Sequence, residues 1–266
     1  MVGRDGIARA LIHYHLLELV QAGIEEICII VQPGDDRPIR EYLQGPDEAY
    51  LKRLSKYPAL LSEARQMRDL AARVTFAVQH EQEGYGHAVY QTKGFAGDSM
   101  VLLCLGDHLF RGDPASPCKE LAGMAALSGG KSVSAVNAIV PDELKGYGTI
   151  AGKRRVENPR LIDVSLIIEK PDVTTAREKL RVDGLPDDVF LGWFGMHLLA
   201  PSIYTILEEM IRDDVRDNGE FQLTRAQELQ REREGYLALE MENAERFDFG
   251  IPDDFVRSVQ AFRWGV

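Results

Sequence analysis

Apolar residues recur at helical spacing over residues 7–21, where Ile7, Leu11, Ile12, Leu16, Leu19 and Val20 fall on one face and Gly23 supplies a C-terminal stop. The pattern then changes to an apolar β-branched run at Ile27–Val31, which reads as a strand. Alternation continues with helical segments at 36–43 and 47–72, a strand at Val74–Val78, a helix at 87–93, a strand at 100–105, a helix at 117–127 and a strand at 132–140. Such repetition predicts an α/β fold, a Rossmann-like mixed, mainly parallel sheet with helices on both faces. From Gly146 the order becomes strand after strand, at 149–153, 162–169 and 189–199, which predicts a small antiparallel or mixed extension. Helices at 201–212 and Leu223–Glu234, a half-buried strand at 236–241 and a last helix at 252–263 complete the pattern. Pro201 is placed in a first turn, where a missing N–H is tolerated. The run Arg231-Glu232-Arg233-Glu234 reads as a solvated face. No repeat or low-complexity linker interrupts the chain.

Two strand ends carry candidate chemistry. Val101-Leu102-Leu103-Cys104-Leu105 is a continuous apolar run of buried parallel-strand type that stops at Gly106-Asp107-His108. Open α/β sheets bind ligands at the carboxyl ends of their strands, so Asp107 is placed to hold a Mg²⁺ that neutralises phosphate oxygens. An Asp that merely caps the next turn is the plain alternative. The strand Val74–Val78 likewise ends at Gln79, and Gly84 and Gly86 follow just before the helix that starts near His87. Glycines at such a place let a backbone approach a ligand closely, and a Gln amide offers the donor and acceptor that a pyrimidine edge requires. An ordinary turn would use the same glycines.

Composition narrows the partners. A chain of 266 residues buries a sizeable core and fits one large α/β domain. A formal net charge of −11 argues against nucleic acid, whose phosphates are bound by clustered Lys and Arg. A free nucleotide needs only a local cation or two, and Mg²⁺ can be one of them. The three cysteines, Cys28, Cys104 and Cys118, cannot all pair, and they read as reduced residues of a cytoplasmic protein. There is no signal segment at the start of the chain and no apolar run near membrane length, so neither secretion nor a membrane is indicated.

The spacing Q-x-x-x-x-G-x-G-H-A at Gln79 to Ala88, followed by an apolar strand ending in Asp107, resembles the UTP–glucose-1-phosphate uridylyltransferases, a branch of the sugar-nucleotide pyrophosphorylases. The likeness extends along essentially the whole chain. It runs from Ala22 to Val31 and Pro33-Gly34-Asp35-Asp36 through Gly146-Tyr147-Gly148, Ile168-Glu169-Lys170-Pro171, the Gly195 strand and Gly219 to Thr224, to Arg246-Phe247-Asp248-Phe249-Gly250. The resemblance implies a single nucleotidyltransferase domain over 1–266, with nucleotide binding in 1–145 and sugar binding in 146–266. It implies Mg²⁺-dependent attack of the glucose-1-phosphate oxygen on the α-phosphorus of UTP, giving UDP-glucose and pyrophosphate. Such transfer rests on positioning and charge neutralisation.

The resemblance implies roles residue by residue. Asp107 is the expected first metal ligand and Asp248, at the end of a strand-like segment and before Gly250, the expected second, with a turn acid as the alternative for Asp248. Gln79, Gly84, Gly86 and His87 bind the nucleotide, His87 reading as a structural residue of the helix start rather than a general base. Lys170 is the cation for the sugar phosphate and a catalytic residue with Asp107. Glu169 accepts from sugar hydroxyls, while Gly148 and Gly195 lie beside the sugar unless they serve a turn or bulge. Glu220, Gln222 and Thr224 read as a capping arrangement for the following helix. A homo-oligomer is expected.

The chain departs from the family at its start. The glycine-rich loop that precedes the family's first helix is missing, and Gly3-Arg4-Asp5-Gly6 is too short to replace it. The expectation is that Met1 is an internal start and that the complete protein extends upstream by about two dozen residues. The lost strand belongs near the middle of such a sheet, so its neighbours would be left unpaired. Two other readings stay open: a pyrophosphorylase for another pyrimidine nucleotide or hexose phosphate, and a non-catalytic nucleotide-sugar-binding subunit.

Overall fold

The computed structural model describes residues 1–3 and 6–262, so Arg4, Asp5 and the expected helix end at Arg263 lie outside the described residues. The chain forms two compact units, Met1–Glu81 with Phe247–Val266, and Gln82–Arg246. These units are defined by packing, which does not bear on the ligand roles assigned to 1–145 and 146–266.

In the first unit, helix α1 spans Leu11–Gln21, four residues later than the apolar spacing suggests. Val2 bridges Ala8 antiparallel and the Arg9 N–H donates to the Met1 carbonyl at 2.8 Å, which holds Ala10 extended at ψ 156°. Strand β1 (Ile27–Val31) pairs parallel with β2 (Val74–Val78) in full register, and the Gln79 N–H extends that ladder to the Val31 carbonyl at 2.8 Å. Between them lie α2 (Asp36–Gln44), α3 (Glu48–Leu54) and α4 (Pro58–Ala71). The expected single helix over 47–72 is therefore broken. Pro58 lacks the donor that would continue α3 and pushes Tyr57 out of helical space, to φ −127° and ψ 82°. Leu16, Leu17, Ile27, Leu43 and Leu70 form the core between these elements.

The second unit begins with α5 (Tyr85–Tyr90) and α6 (Lys93–Ala96), two short helices where one was expected over 87–93. Strands β3 (Val101–Cys104) and β4 (His108–Gly112) follow, then α7 (Pro117–Gly123) and β5 (Val133–Ile139). Next come β6 (Thr149–Arg154), β7 (Leu161–Ile168), α8 (Val173–Lys179) and β8 (Phe190–Leu199). Helices α9 (Ser202–Arg212) and α10 (Leu223–Glu234) lead to β9 (Leu237–Glu240) and β10 (Ala244–Asp248), and α11 (Pro252–Ala261) belongs to the first unit. Pro201 is the N-cap of α9 rather than a first-turn residue. The sequence pattern missed β4 and α8, whereas β10 is the strand-like segment expected to end at Asp248. Both missed elements are short, and β4 follows only three residues after β3, so periodicity had too few positions to register.

Six strands form one sheet in the order β3-β8-β5-β9-β7-β6. β8 runs antiparallel to β3, β5 and β6, β5 runs parallel to β9, and β7 opposes β9 and β6. Four strands (β3, β5, β6, β9) therefore share one direction and two (β7, β8) oppose it. The sheet is mixed, as expected, yet only β5–β9 is a parallel ladder, because the long β8 inserts antiparallel between β3 and β5. All ten residues of β8 are buried, whereas every residue of β3 is half-buried. Among the described residues β3 pairs with β8 alone, so it is an edge strand rather than the buried parallel strand its apolar run suggested.

Helices α9 and α10 cover one side of β3 and β8 through Leu199, Ile203, Leu207, Leu223 and Ala226. A buried polar network crosses the sheet beneath α10. Ser134 Oγ lies 2.6 Å from His197 Nδ1 and 2.8 Å from the Tyr236 hydroxyl, and the Gln227 amide donates to both His197 Nδ1 and Tyr236, each at 3.0 Å. Burial pushes His197 down to about 3, so the imidazole is neutral in the folded protein.

Candidate active site

The second unit places most of the expected site residues, and β8 organises them. Opposite β5 the ladder slips: Ser134 pairs with His197 but Val136 with Trp193, leaving Phe194, Gly195 and Met196 as a bulge. Gly195 takes φ +96°, a left-handed conformation that glycine adopts without cost. Its carbonyl accepts from the Leu105 N–H at 3.1 Å, which ties the turn Leu105-Gly106-Asp107 to the bulge. A Cβ on Gly195 would lie 2.8 Å from His108 Nδ1, so the room a side chain would need there is taken by His108. Asp107 stands at the end of β3, as its strand position predicted, with half its side chain exposed and His108 Nε2 4.0 Å from its carboxylate. The hydroxyl of Tyr85 is buried nearby, and burial, with the neighbouring Cys104 and Asp107 adding to it, keeps that phenol protonated.

Two residues back along β8, roughly 7 Å of strand, Trp193 meets a second group. The Trp193 N–H donates to the Gly148 carbonyl at 2.8 Å. A Cβ on Gly148 would collide with the Trp193 ring at 2.5 Å and would lie 2.9 Å from Glu169 Oε2. Only glycine lets this backbone pass between an indole and a carboxylate. The Thr224 hydroxyl, from the first turn of α10, donates to Glu169 Oε2 at 2.7 Å. Glu228, one turn on, accepts the Ile167 N–H at 3.1 Å and so anchors the end of β7 that leads to Glu169. Lys170 follows in a left-handed conformation, φ +44°, its ammonium exposed and 3.8 Å from the Glu169 carboxylate.

Of the three residues expected to cap α10, Gln222 is the N-cap but makes no side-chain cap bond; its amide donates to Glu220 at 2.8 Å, and Thr224 turns away to Glu169. No signal in the sequence marks Trp193, and Arg246 stands there only as the first residue of the Arg246–Gly250 motif, without a role. The Arg246 guanidinium lies 4.2 Å from the Tyr147 ring centre, hydrogen-bonds the Tyr147 hydroxyl, and donates to the Trp193 carbonyl at 3.3 Å. A cation two residues before a candidate metal acid was the available signal.

The segment with Gly84 and Gly86 is knitted to residues 220–222. The Gly86 N–H donates to the Phe221 carbonyl and the Phe221 N–H to the Glu83 carbonyl, both at 2.8 Å. A Cβ at Gly84 would lie 2.8 Å from Glu220 Cβ, and one at Gly86 2.7 Å from the Phe221 carbonyl oxygen. Close backbone approach does explain these glycines, and the chain that approaches is the 220–222 segment. Arg216 caps the junction, its guanidinium 3.9 Å from the Phe221 ring centre and 2.7 Å from Glu83. His87 bonds Gln91 at 3.1 Å and faces Phe221, contacts that suit the structural reading made for it.

Gln79 and Asp248 fall in the first unit. Gln79 continues the β1–β2 ladder through its backbone. Asp248 is half-buried; its carboxylate accepts the Gly250 N–H at 2.8 Å and its carbonyl the Ser258 hydroxyl at 2.7 Å. Those bonds form a turn that pins the carboxylate in place.

Residues 6–262 match the family model described as nucleotidyl transferase. The chain belongs to the nucleotidyl transferase family. Among curated relatives, this nucleotidyl transferase is 28% identical over 251 residues to UTP–glucose-1-phosphate uridylyltransferase 1 of Staphylococcus saprophyticus, covering 94% of this chain and 80% of that protein. Its fold is that of solved UDP-glucose pyrophosphorylases. An apo form superposes with a TM-score of 0.80 at 21% identity, over 96% of this chain and 87% of the other. The UTP-bound enzyme from Acinetobacter baumannii gives 0.75 at 23% identity, over 96% and 82%.

Proposed function

We propose that this nucleotidyl transferase joins UTP and glucose 1-phosphate to give UDP-glucose and pyrophosphate. The observation that carries the reading is the β8 bulge, which gathers on neighbouring residues of one strand the Asp107 turn and the Gly148–Glu169–Thr224 group. A nucleotidyl transfer needs those two parts side by side, one neutralising phosphate and one holding the acceptor. The name of the Staphylococcus saprophyticus relative supplies the substrates.

In this reading Glu169, its orientation fixed by the Thr224 hydroxyl, accepts hydrogen bonds from hexose hydroxyls. Lys170, exposed beside it, pairs with the sugar phosphate and leaves its oxygen facing the α-phosphorus. Gln79 reads the uracil edge, and Gly84, Gly86 and His87 line the nucleotide. Gly195 leaves the Asp107 turn room beside the sugar. A divalent ion bound by carboxylate oxygens would supply charge neutralisation on the triphosphate. The donor set fits Mg²⁺, because Asp107 offers a partly exposed carboxylate and carboxylates suit hard cations. Asp248 is the second candidate ligand. We place the protein in the cytoplasm as a homo-oligomer; no helix of the described residues is long and apolar enough to cross a membrane.

Product analysis tests the assignment. With UTP, glucose 1-phosphate and Mg²⁺, UDP-glucose and pyrophosphate are expected in equal amounts, and faster than with dTTP or another hexose phosphate. Preference for a different pair, or UDP-glucose binding without turnover, would overturn it.

A further inference from the structure

The site chemistry leaves unused a pair of thiols directly beneath it. Cys104, the last residue of β3, and Cys118, the second residue of α7, are far apart in pattern but bring their sulfurs to 3.9 Å. Both are thiols, Cys104 half-buried and Cys118 almost fully buried. The Cys118 thiol donates to the Met196 sulfur at 3.4 Å, and Met196 lies opposite Cys104 in the β3–β8 ladder. Cys28 belongs to the other unit.

We propose that Cys104 and Cys118 form a peroxide-reactive pair that closes to an intramolecular disulfide. The outer thiol reacts first, because it is the one that solvent reaches. Its sulfur attacks one peroxide oxygen, breaking the O–O bond and giving the Cys104 sulfenic acid and an alcohol, or water when the oxidant is hydrogen peroxide. The Cys118 sulfur then attacks the sulfenic sulfur; the S–S bond forms, the S–O bond breaks, and the hydroxide leaves as water with the Cys118 proton. Two electrons pass from the sulfurs to the peroxide. The sulfurs must approach from 3.9 Å to the bonded separation of about 2.0 Å.

Position gives the bond a consequence. Cys104 lies three residues before Asp107, so the disulfide ties the base of the candidate metal turn to α7. Turnover is expected to fall several-fold on oxidation; this part rests on the function proposed above, whereas bond formation does not.

The test treats the intact protein with hydrogen peroxide under native conditions, counts alkylatable thiols by mass, and maps disulfide-linked peptides before and after dithiothreitol. Reactive thiols should drop from three to one, leaving Cys28, with the Cys104 and Cys118 peptides joined and released on reduction. Cys118→Ala should stop at a sulfenic acid on Cys104 that a dimedone-type probe captures, and Cys104→Ala should leave Cys118 unmodified. Three remaining thiols, a disulfide involving Cys28, or irreversible oxidation of Cys104 in the wild-type chain without a cross-link would overturn the proposal. Formation of the bond with unchanged pyrophosphate release would overturn its coupling to Asp107.

Discussion

Lys170 carries two burdens at one position. Its left-handed backbone, φ +44°, costs a residue with a Cβ about 1–2 kcal/mol, and its exposed ammonium is the cation assigned to the sugar phosphate. Substitution separates the two. Lys170→Gly should hold or raise the thermal midpoint, because glycine accepts this conformation, while the KM for glucose 1-phosphate rises at least about tenfold with loss of a charged hydrogen bond. A drop in stability without a change in KM would assign Lys170 to the fold. Thr224 acts through Glu169, so Thr224→Val should raise the same KM by up to roughly tenfold, one neutral-to-charged hydrogen bond, and leave the KM for UTP in place. Titrating each substrate separately checks the split. At this scale the places of Asp107, Glu169 and Lys170 were legible because each follows an apolar strand. The contacts of Thr224, Trp193 and Arg246 were not, since their partners lie 55, 45 and 99 residues away, which no local pattern encodes.

Elements position these residues through two devices. The first is the glycine junction between the Gly84 segment and residues 220–222. Gly84 combines φ +108° with a Cβ site 2.8 Å from Glu220, so Gly84→Ala should cost about 1–3 kcal/mol from strain and displaced backbone together. A lowered denaturation midpoint at unchanged m-value checks it. The second is the buried His197 network across β5, β8, β9 and α10. The unfolded imidazole titrates near 6.5 and the folded one near 3, so the unfolded state binds the extra proton between those values. The stabilising difference is complete above pH 6.5 and is lost as pH falls towards 3, by up to about 1.4 kcal/mol per pH unit. His197→Gln should therefore flatten the fall in thermal midpoint between pH 7 and pH 4.5, measured against wild type. Most strands and helices were legible from period alone, and their errors have causes: Pro58 splits a helix, the N-terminal bridge delays α1, and β3 is an edge strand despite its apolar run. The β8 bulge left no trace in the pattern except Gly195.

At the scale of the whole chain, the alternation of strands and helices predicted an α/β fold, while the ordered motifs from Ala22 to Gly250 carried the family resemblance, with which the nucleotidyl transferase match over residues 6–262 agrees. Strand direction was less legible, because β8 reads as an apolar strand whichever way it runs. A net charge of −11 sets a testable demand on the chemistry, since two anionic substrates must meet on an acidic protein. Local cations have to dominate, so activity should depend on the divalent ion rather than on bulk ionic strength. The most direct measurement is therefore pyrophosphate release from UTP and glucose 1-phosphate across a Mg²⁺ titration, for wild type and Asp107→Ala in parallel. The account predicts metal-dependent turnover that falls by about a hundredfold or more in the variant, with its thermal midpoint kept. Equal turnover in the two proteins, or none in wild type while UDP-glucose still binds, would contradict it.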